Sequence, residues 1–125
     1  MASKSKSVLI IEDETDAAEM FAEMMRVSGF NVLKTFSSKP ALALIRDHRP
    51  DVVILDVMMP DISGLDVLRE MRSDPLLAHI PVVIVSAKGM PADIQDGLDA
   101  GANVYLTKPV SFRDLKEAVE KVLPS

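Results

Sequence analysis

The sequence predicts an α/β fold built on a doubly wound parallel sheet. Segments typical of strands and of helices alternate five times along the 125 residues. Three of the strand segments, Val8–Ile11, Val52–Leu55 and Val82–Val85, are continuous apolar runs, which is typical of parallel strands buried on both faces. Because parallel strands are joined by right-handed crossovers, this pattern predicts helices on both faces of one sheet.

The first half of the chain begins with two strands separated by a helix. After Val8–Ile11, apolar residues at helical spacing predict a helix from about Thr15 to Ser28, and Gly29 ends it. The second strand, Asn31–Phe36, alternates polar and apolar residues. This alternation is typical of a strand at the edge of a sheet.

The remaining segments are predicted from capping residues and apolar spacing. Ser37 and Ser38 offer capping hydroxyls for a second helix, Pro40 fits its first turn, and the helix is expected to end near Asp47. The later segments are a helix marked by Gly64, Val67, Leu68 and Met71, a helix marked by Ile94 and Leu98 and ended by Gly101, a strand over Asn103–Leu106, and a helix marked by Phe112, Leu115, Val119 and Val122.

Polar side chains follow the predicted strands at their C-terminal ends. The acidic triplet Glu12–Glu14 follows the first strand, Asp56 the third, Ser86 the fourth and Lys108 the fifth. In open α/β sheets this edge is where ligands bind. Carboxylates, a hydroxyl and an ammonium group at one edge favour a divalent cation and a phosphoryl group as ligands.

Composition limits the possible functions of the chain. A length of 125 residues predicts one domain, and 14 basic against 19 acidic residues give a net charge of −5, which disfavours direct binding to nucleic acid or to an anionic membrane. The absence of cysteine excludes disulfides, thiolate metal sites and cysteine nucleophiles. The polar segment Met1–Ser7 is followed by too few apolar residues for a signal peptide or a membrane span. We therefore expect a cytoplasmic protein.

Four short motifs occur in order along the chain, each at the end of a predicted strand. They are Glu12-Asp13, the segment Leu55–Pro60 with Asp56 and the later Gly64, Ser86-Ala87, and the segment Tyr105–Pro109 with Lys108. With these motifs the chain resembles the receiver domains of bacterial two-component response regulators. The resemblance covers essentially the whole sequence, so we expect a single receiver domain over residues 1–125.

The resemblance implies a flavodoxin-like (βα)5 fold with strand order 2-1-3-4-5 and a metal site. Strands one and three are then neighbours at a switch point, and Asp13 and Asp56 face each other across one crevice. The family's cofactor is Mg²⁺, for which Mn²⁺ is a possible substitute. The expected ligands are carboxylate oxygens of Asp13 and Asp56 and the backbone carbonyl of Met58, with Glu12 holding a bound water.

The resemblance also implies the reaction. Asp56 accepts a phosphoryl group from a phosphohistidine on a sensor histidine kinase or a histidine phosphotransfer protein, while Lys108, Ser86 and Ala87 contact the phosphoryl oxygens. The domain is then a phosphoacceptor in signalling, not an enzyme acting on an external substrate. Ser86 and Tyr105 form the expected switch, which alters the face made by the fourth helix, the fifth strand and the fifth helix.

The resemblance also bears on the lifetime of the phosphorylated state and on the output of the domain. Met58 and Lys88 occupy the positions that tune the lifetime of the phosphorylated state, and a thioether and a lysine there predict slow hydrolysis. The output is expected to be contact with an unidentified protein, by a monomer or by a dimer linked to phosphorylation. The sequence identifies neither the kinase nor the target.

Three alternatives share some of these features with a phosphorylated receiver. A phosphatase of the haloacid dehalogenase type needs a second Asp two residues after the nucleophile, where Met58 stands. A flavodoxin-like electron carrier shares the sheet, but Glu12–Glu14 would repel the FMN phosphate. A receiver-like module that is never phosphorylated would lack a key residue, and none is missing here.

Each residue of the predicted site also has a purely structural interpretation when it is considered alone. The acidic triplet is typical of the start of a helix, and Ser86 of a helix cap. Lys108 could be a solvated side chain, and Tyr105 a packed residue of an edge strand.

Overall fold

The computed structural model describes residues 6–123 and consists of five strands that alternate with five helices. Residues 1–5 and 124–125, which the predicted domain 1–125 includes, lie outside this range. The elements are β1 Ser7–Ile11, α1 Thr15–Val27, β2 Asn31–Thr35, α2 Ala41–His48, β3 Val52–Leu55, α3 Gly64–Ser73, β4 Val82–Ser86, α4 Pro91–Ala100, β5 Val104–Thr107 and α5 Phe112–Val122.

The strands form one parallel sheet in the order β2-β1-β3-β4-β5. This order confirms the predicted flavodoxin-like topology. In the register of the neighbouring strands β1 and β3, Val8 lies opposite Val52 and Ile11 opposite Leu55. The residues that follow β1 and β3 therefore leave the sheet side by side.

Helices cover both faces of the sheet, as the apolar runs predict. On one face Leu9 and Leu55 pack with residues of α2 and α3, and on the other Ile10 and Ile54 pack with residues of α1 and α5. All four of these side chains are at most 1% exposed. β2 is an edge strand with half-buried residues, as its alternating sequence predicts.

The helix ends agree with the prediction except at α2. Gly101 ends α4 in the left-handed conformation, with φ of 117°. The predicted capping of α2 by Ser37 and Ser38 is wrong, because Pro40 stands at the N-cap and no side chain caps this helix. The Ser37 hydroxyl instead donates to Asp61 Oδ2 at 2.7 Å, a residue too distant in sequence for a local capping rule to identify.

The predicted apolar face of α5 is only partly buried. Leu115 and Val119 are fully buried, whereas Phe112 is 40% exposed because it lies at the first turn, beside the exposed residues of α1. Within residues 6–123, no helix is both long enough and apolar enough to cross a membrane.

Candidate functional site

Three carboxylates meet where β1 and β3 end. Glu12 and Asp13 follow β1, and Asp56 follows β3. Each contributes an oxygen to a group in which all the oxygens lie within 4.8 Å of one another. The Asp56 amide donates to the Ile11 carbonyl at 2.9 Å, which continues the pairing of the two strands into the site. The predicted approach of Asp13 to Asp56 is therefore confirmed.

Lys108 reaches this cluster from the turn after β5. Its Nζ lies 2.6 Å from Glu12 Oε1 and 3.1 Å from Asp56 Oδ2. Burial by itself would lower the pKa of Lys108, but the hydrogen bond to Glu12 and the charge of Asp56 outweigh burial and raise this pKa. The ammonium group is therefore held in its charged form, and it is outnumbered by three carboxylates.

Glu12 is the most deeply buried of the three carboxylate residues, with 1% of the residue exposed. Burial, with the neighbouring charge of Asp56, raises the pKa of Glu12 to about 7, although the Lys108 hydrogen bond opposes this change. Ionising the whole cluster is thus costly without a further cation. Hard carboxylate oxygens at this spacing are the donors that Mg²⁺ prefers, so the residues present fit the metal that the sequence predicts.

The loop after β3 positions the Asp56 carboxylate. The Met58 amide donates to Asp56 Oδ1 at 2.9 Å, and the Gly64 amide donates to the Val57 carbonyl at 3.0 Å. A Cβ atom on Gly64 would lie 2.2 Å from the Asp56 carbonyl oxygen. The start of α3 can approach Asp56 this closely because residue 64 has no side chain.

Met58 and Lys88 lie beside the carboxylates. Together with Asp13 they line a surface depression of about 430 Å³ that extends along the loop after β3. The Met58 side chain is 50% exposed and Lys88 is exposed. Both residues are therefore accessible at the rim of the site, and their effect on the lifetime of the phosphorylated state stays a prediction.

Ser86 and Tyr105 are joined through the backbone of Lys88. The Ser86 hydroxyl is fully buried and accepts a hydrogen bond from the Lys88 amide at 3.2 Å. The Tyr105 hydroxyl donates to the Lys88 carbonyl at 2.6 Å, and burial is the main cause that raises the pKa of Tyr105. Ala87, between Ser86 and Lys88 in the sequence, is exposed. The loop after β4 thus connects the end of β4 to the ring on β5.

Comparison with known proteins establishes the family. Residues 8–120 match the family model described as the response regulator receiver domain. The chain is 35% identical over 118 residues to the polar-differentiation response regulator DivK of Brucella anthropi, covering 94% of this chain and 96% of DivK. It is 36% identical over 118 residues to the phosphate regulon transcriptional regulatory protein PhoB of Pseudomonas aeruginosa, covering 94% of this chain and 52% of PhoB.

This chain belongs to the response regulator receiver domain family. Receiver domains are signalling domains of two-component systems, and they generally bind Mg²⁺ and interact with histidine kinases and phosphotransfer proteins. The membership disfavours the phosphatase and electron-carrier alternatives. The chain covers about half of the length of PhoB (52%) but nearly all of DivK (96%).

Solved structures agree with the receiver fold. Chemotaxis protein CheY4 of Vibrio cholerae superposes with a TM-score of 0.90 at 26% identity, covering 96% of this chain and 100% of that one. The receiver domain of the Francisella response regulator 1452 superposes with a TM-score of 0.87 at 30% identity, covering 94% of this chain and 96% of that one.

The receiver also contains a contact that the sequence does not indicate. Asp61, in the loop after β3, accepts hydrogen bonds from the Ser37 hydroxyl at 2.7 Å and from the Lys39 amide at 2.8 Å. These bonds, that from Ser37 foremost, lower the pKa of Asp61. The contact fastens the Met58 loop to the loop before α2. The pair Pro60-Asp61 predicts a turn, but a local pattern cannot predict that Asp61 bonds the loop before α2.

Proposed function

We propose that this receiver accepts a phosphoryl group on Asp56 from the phosphohistidine of a histidine kinase or a histidine phosphotransfer protein, in a reaction that depends on Mg²⁺. The observation that carries the proposal is the position of the Asp56 carboxylate. It is 5% exposed, lies 3.1 Å from the Lys108 ammonium and shares a crevice with two further carboxylates. A buried acidic cluster is costly to the fold alone, so its presence favours a cation and an anionic substrate.

The proposed step is an in-line displacement at phosphorus. An Asp56 oxygen forms a bond to phosphorus while the phosphorus–nitrogen bond of the phosphohistidine breaks, and the imidazole leaves with that electron pair and takes a proton from solvent. The product is an acyl phosphate on Asp56. The carboxylate has no proton to lose, so the reaction needs no general base for the nucleophile.

The residues around Asp56 are assigned by the charge that develops on the phosphoryl oxygens. Lys108, which bonds Asp56 Oδ2 at 3.1 Å, would transfer that contact to a phosphoryl oxygen. The Ser86 hydroxyl and the Ala87 amide would contact the others. Asp13, Asp56 and the Met58 carbonyl would hold Mg²⁺, with Glu12 behind a bound water. The ion would neutralise charge shared by carboxylate and phosphoryl oxygens.

The output follows from the connection between Ser86 and Tyr105. A Ser86 hydroxyl drawn toward the phosphoryl group loses its bond from the Lys88 amide, whose carbonyl holds the Tyr105 hydroxyl. The loop after β4 and the ring on β5 then change together, and with them the face formed by α4, β5 and α5. We propose that this face binds a downstream protein and makes no direct contact with nucleic acid. The receiver would act either as a monomer or as a dimer whose formation depends on phosphorylation.

The proposal is tested with phosphoramidate, a small donor with a phosphorus–nitrogen bond. The Mg²⁺-loaded chain should be labelled, and neither the chain in excess chelator nor Asp56→Asn should be. Asp47→Asn is the matched control, because Asp47 is an exposed carboxylate on α2, and it should be labelled like the unchanged chain. Equal labelling of Asp56→Asn and the unchanged chain would contradict the proposal.

A further inference from the structure

Helix α4 contacts the sheet through a glycine. Gly97 is its buried residue, and a Cβ atom placed there would lie 2.6 Å from Cδ2 and 2.8 Å from Cε2 of the Tyr105 ring. The same atom would lie 3.0 Å from Cδ1 of Ile84 in β4. Carbon atoms in contact are separated by about 3.5–4.0 Å. The ring therefore occupies the place that any other residue at position 97 would need for its side chain.

The backbone of α4 gives no other reason for a glycine at this position. Gly97 lies inside the helix, whereas the left-handed residue that ends it is Gly101. A glycine inside a helix is less stable than an alanine, because it loses more backbone freedom on folding. The space occupied by the Tyr105 ring, and less closely by Ile84 Cδ1, is thus the feature that accounts for a glycine here.

The ring of Tyr105 connects this contact to the phosphoacceptor site. Its hydroxyl donates to the Lys88 carbonyl, and the Lys88 amide donates to the Ser86 hydroxyl at the end of β4. One continuous set of contacts therefore runs from Ser86 through the Lys88 backbone and the Tyr105 ring to Gly97. A displacement of Ser86 that moves the Lys88 backbone would therefore reach the ring, and the ring lies directly against the α4 backbone.

We propose that Gly97 is a positioning residue, whose bare backbone seats the Tyr105 ring and transmits its movement to α4. The transmission of a signal rests on the function proposed above, whereas the seating of the ring does not. The seating of the ring and the transmission of its movement are therefore tested separately, and the seating is tested on the unphosphorylated chain.

The seating is tested by a double-mutant cycle on urea unfolding of the metal-free chain. Gly97→Ala should lower the unfolding midpoint when Tyr105 is present, and should leave it unchanged or raise it in a Tyr105→Ala background. Asp96→Ala, an exposed neighbour on α4, should have the same effect in both backgrounds. If Gly97→Ala alone does not fold, the double variant should. Additive effects of the two changes, or a double variant that fails to fold while Tyr105→Ala folds, would overturn the proposal.

The transmission is tested with a probe that reports on one residue. The chain has one tyrosine and no tryptophan, so 3-fluorotyrosine gives a single ¹⁹F signal from residue 105. Gly97→Ala should shift this signal in the unphosphorylated chain, and Asp96→Ala should not. Phosphoramidate should label Gly97→Ala to the normal extent, but the resulting amide shifts in residues 91–100 should fall by about half or more. Normal labelling with an unreduced α4 response would overturn transmission through Gly97. Absence of labelling in the unchanged chain would instead contradict the proposed function and leave the unfolding cycle to decide the seating.

Discussion

The substitution Gly64→Ala tests how closely the receiver's chemistry depends on the start of α3. The new methyl group would lie 2.2 Å from the Asp56 carbonyl oxygen and 2.9 Å from the Val57 Cα. Both are backbone atoms, so no side-chain rotation relieves the overlap, and α3 or the Asp56 backbone must move by about 1 Å to restore van der Waals contact. Overpacking of this kind costs about 2 kcal/mol of unfolding free energy. A displacement of about 1 Å at a reacting group costs roughly 100-fold in rate.

The assay compares stability with phosphorylation rate in the same variants. We expect Gly64→Ala to lower the urea midpoint and to slow Mg²⁺-dependent labelling by phosphoramidate. Gly29→Ala is the control. Gly29 has φ of 96° with no atom within 4 Å of an added Cβ. It precedes the N-terminal end of β2, whereas Asp56 follows the C-terminal end of β3. Its strain should cost about 1–2 kcal/mol without slowing the labelling of folded protein. A normal labelling rate in Gly64→Ala would refute the reasoning.

Three further predictions concern charges and contacts at the site. Because the folded-state pKa of Glu12 is raised from 4.5 to about 7, the metal-free chain should lose stability as pH rises from about 5 to 7. Glu12→Gln or saturating Mg²⁺ should flatten this decline, measured as the urea midpoint at each pH. If the midpoint falls equally in Glu12→Gln, the pH dependence does not come from Glu12. Met58→Asn should accelerate loss of label from Asp56, because an amide can hold the attacking water; an unchanged or slower decay would show that Met58 does not control access. Lys108→Ala should reduce phosphorylation-dependent amide shifts in residues 87–110 relative to the label incorporated, because the phosphoryl group would lose its proposed contact with the loop after β5. Undiminished shifts per label would show that Lys108 does not couple phosphorylation to this face.

Much of the fold and of the site could be predicted because the signals are local. Continuous apolar runs predicted the central strands, and the polar residue after each run placed Glu12, Asp13, Asp56 and Ser86 at one edge of the sheet. Periodicity does not determine strand order. The approach of Asp13 to Asp56 therefore followed from the family resemblance, which supplied the neighbouring positions of β1 and β3.

The errors and omissions involve partners that are distant in sequence. Ser37 was predicted to cap α2, but Asp61 takes its hydroxyl across 24 residues. Likewise, the Tyr105 hydroxyl bonds a carbonyl 17 residues away, and nothing in the helical pattern of α4 shows that Gly97 makes room for that ring. The assignment of the Met58 carbonyl to the metal stays a prediction, as do the phosphate contacts of Ser86 and Ala87.

The most direct test of the central claim is to locate the phosphoryl group. An acyl phosphate on Asp56 can be trapped by reduction with borohydride, which converts the acceptor to homoserine, and the changed residue can be identified by mass spectrometry. After exposure to phosphoramidate and Mg²⁺, we expect homoserine at position 56, and none in a parallel sample kept in excess chelator. Homoserine at another aspartate, or equal conversion of Asp56 in chelator, would contradict the claim that this cluster is a metal-dependent phosphoacceptor site.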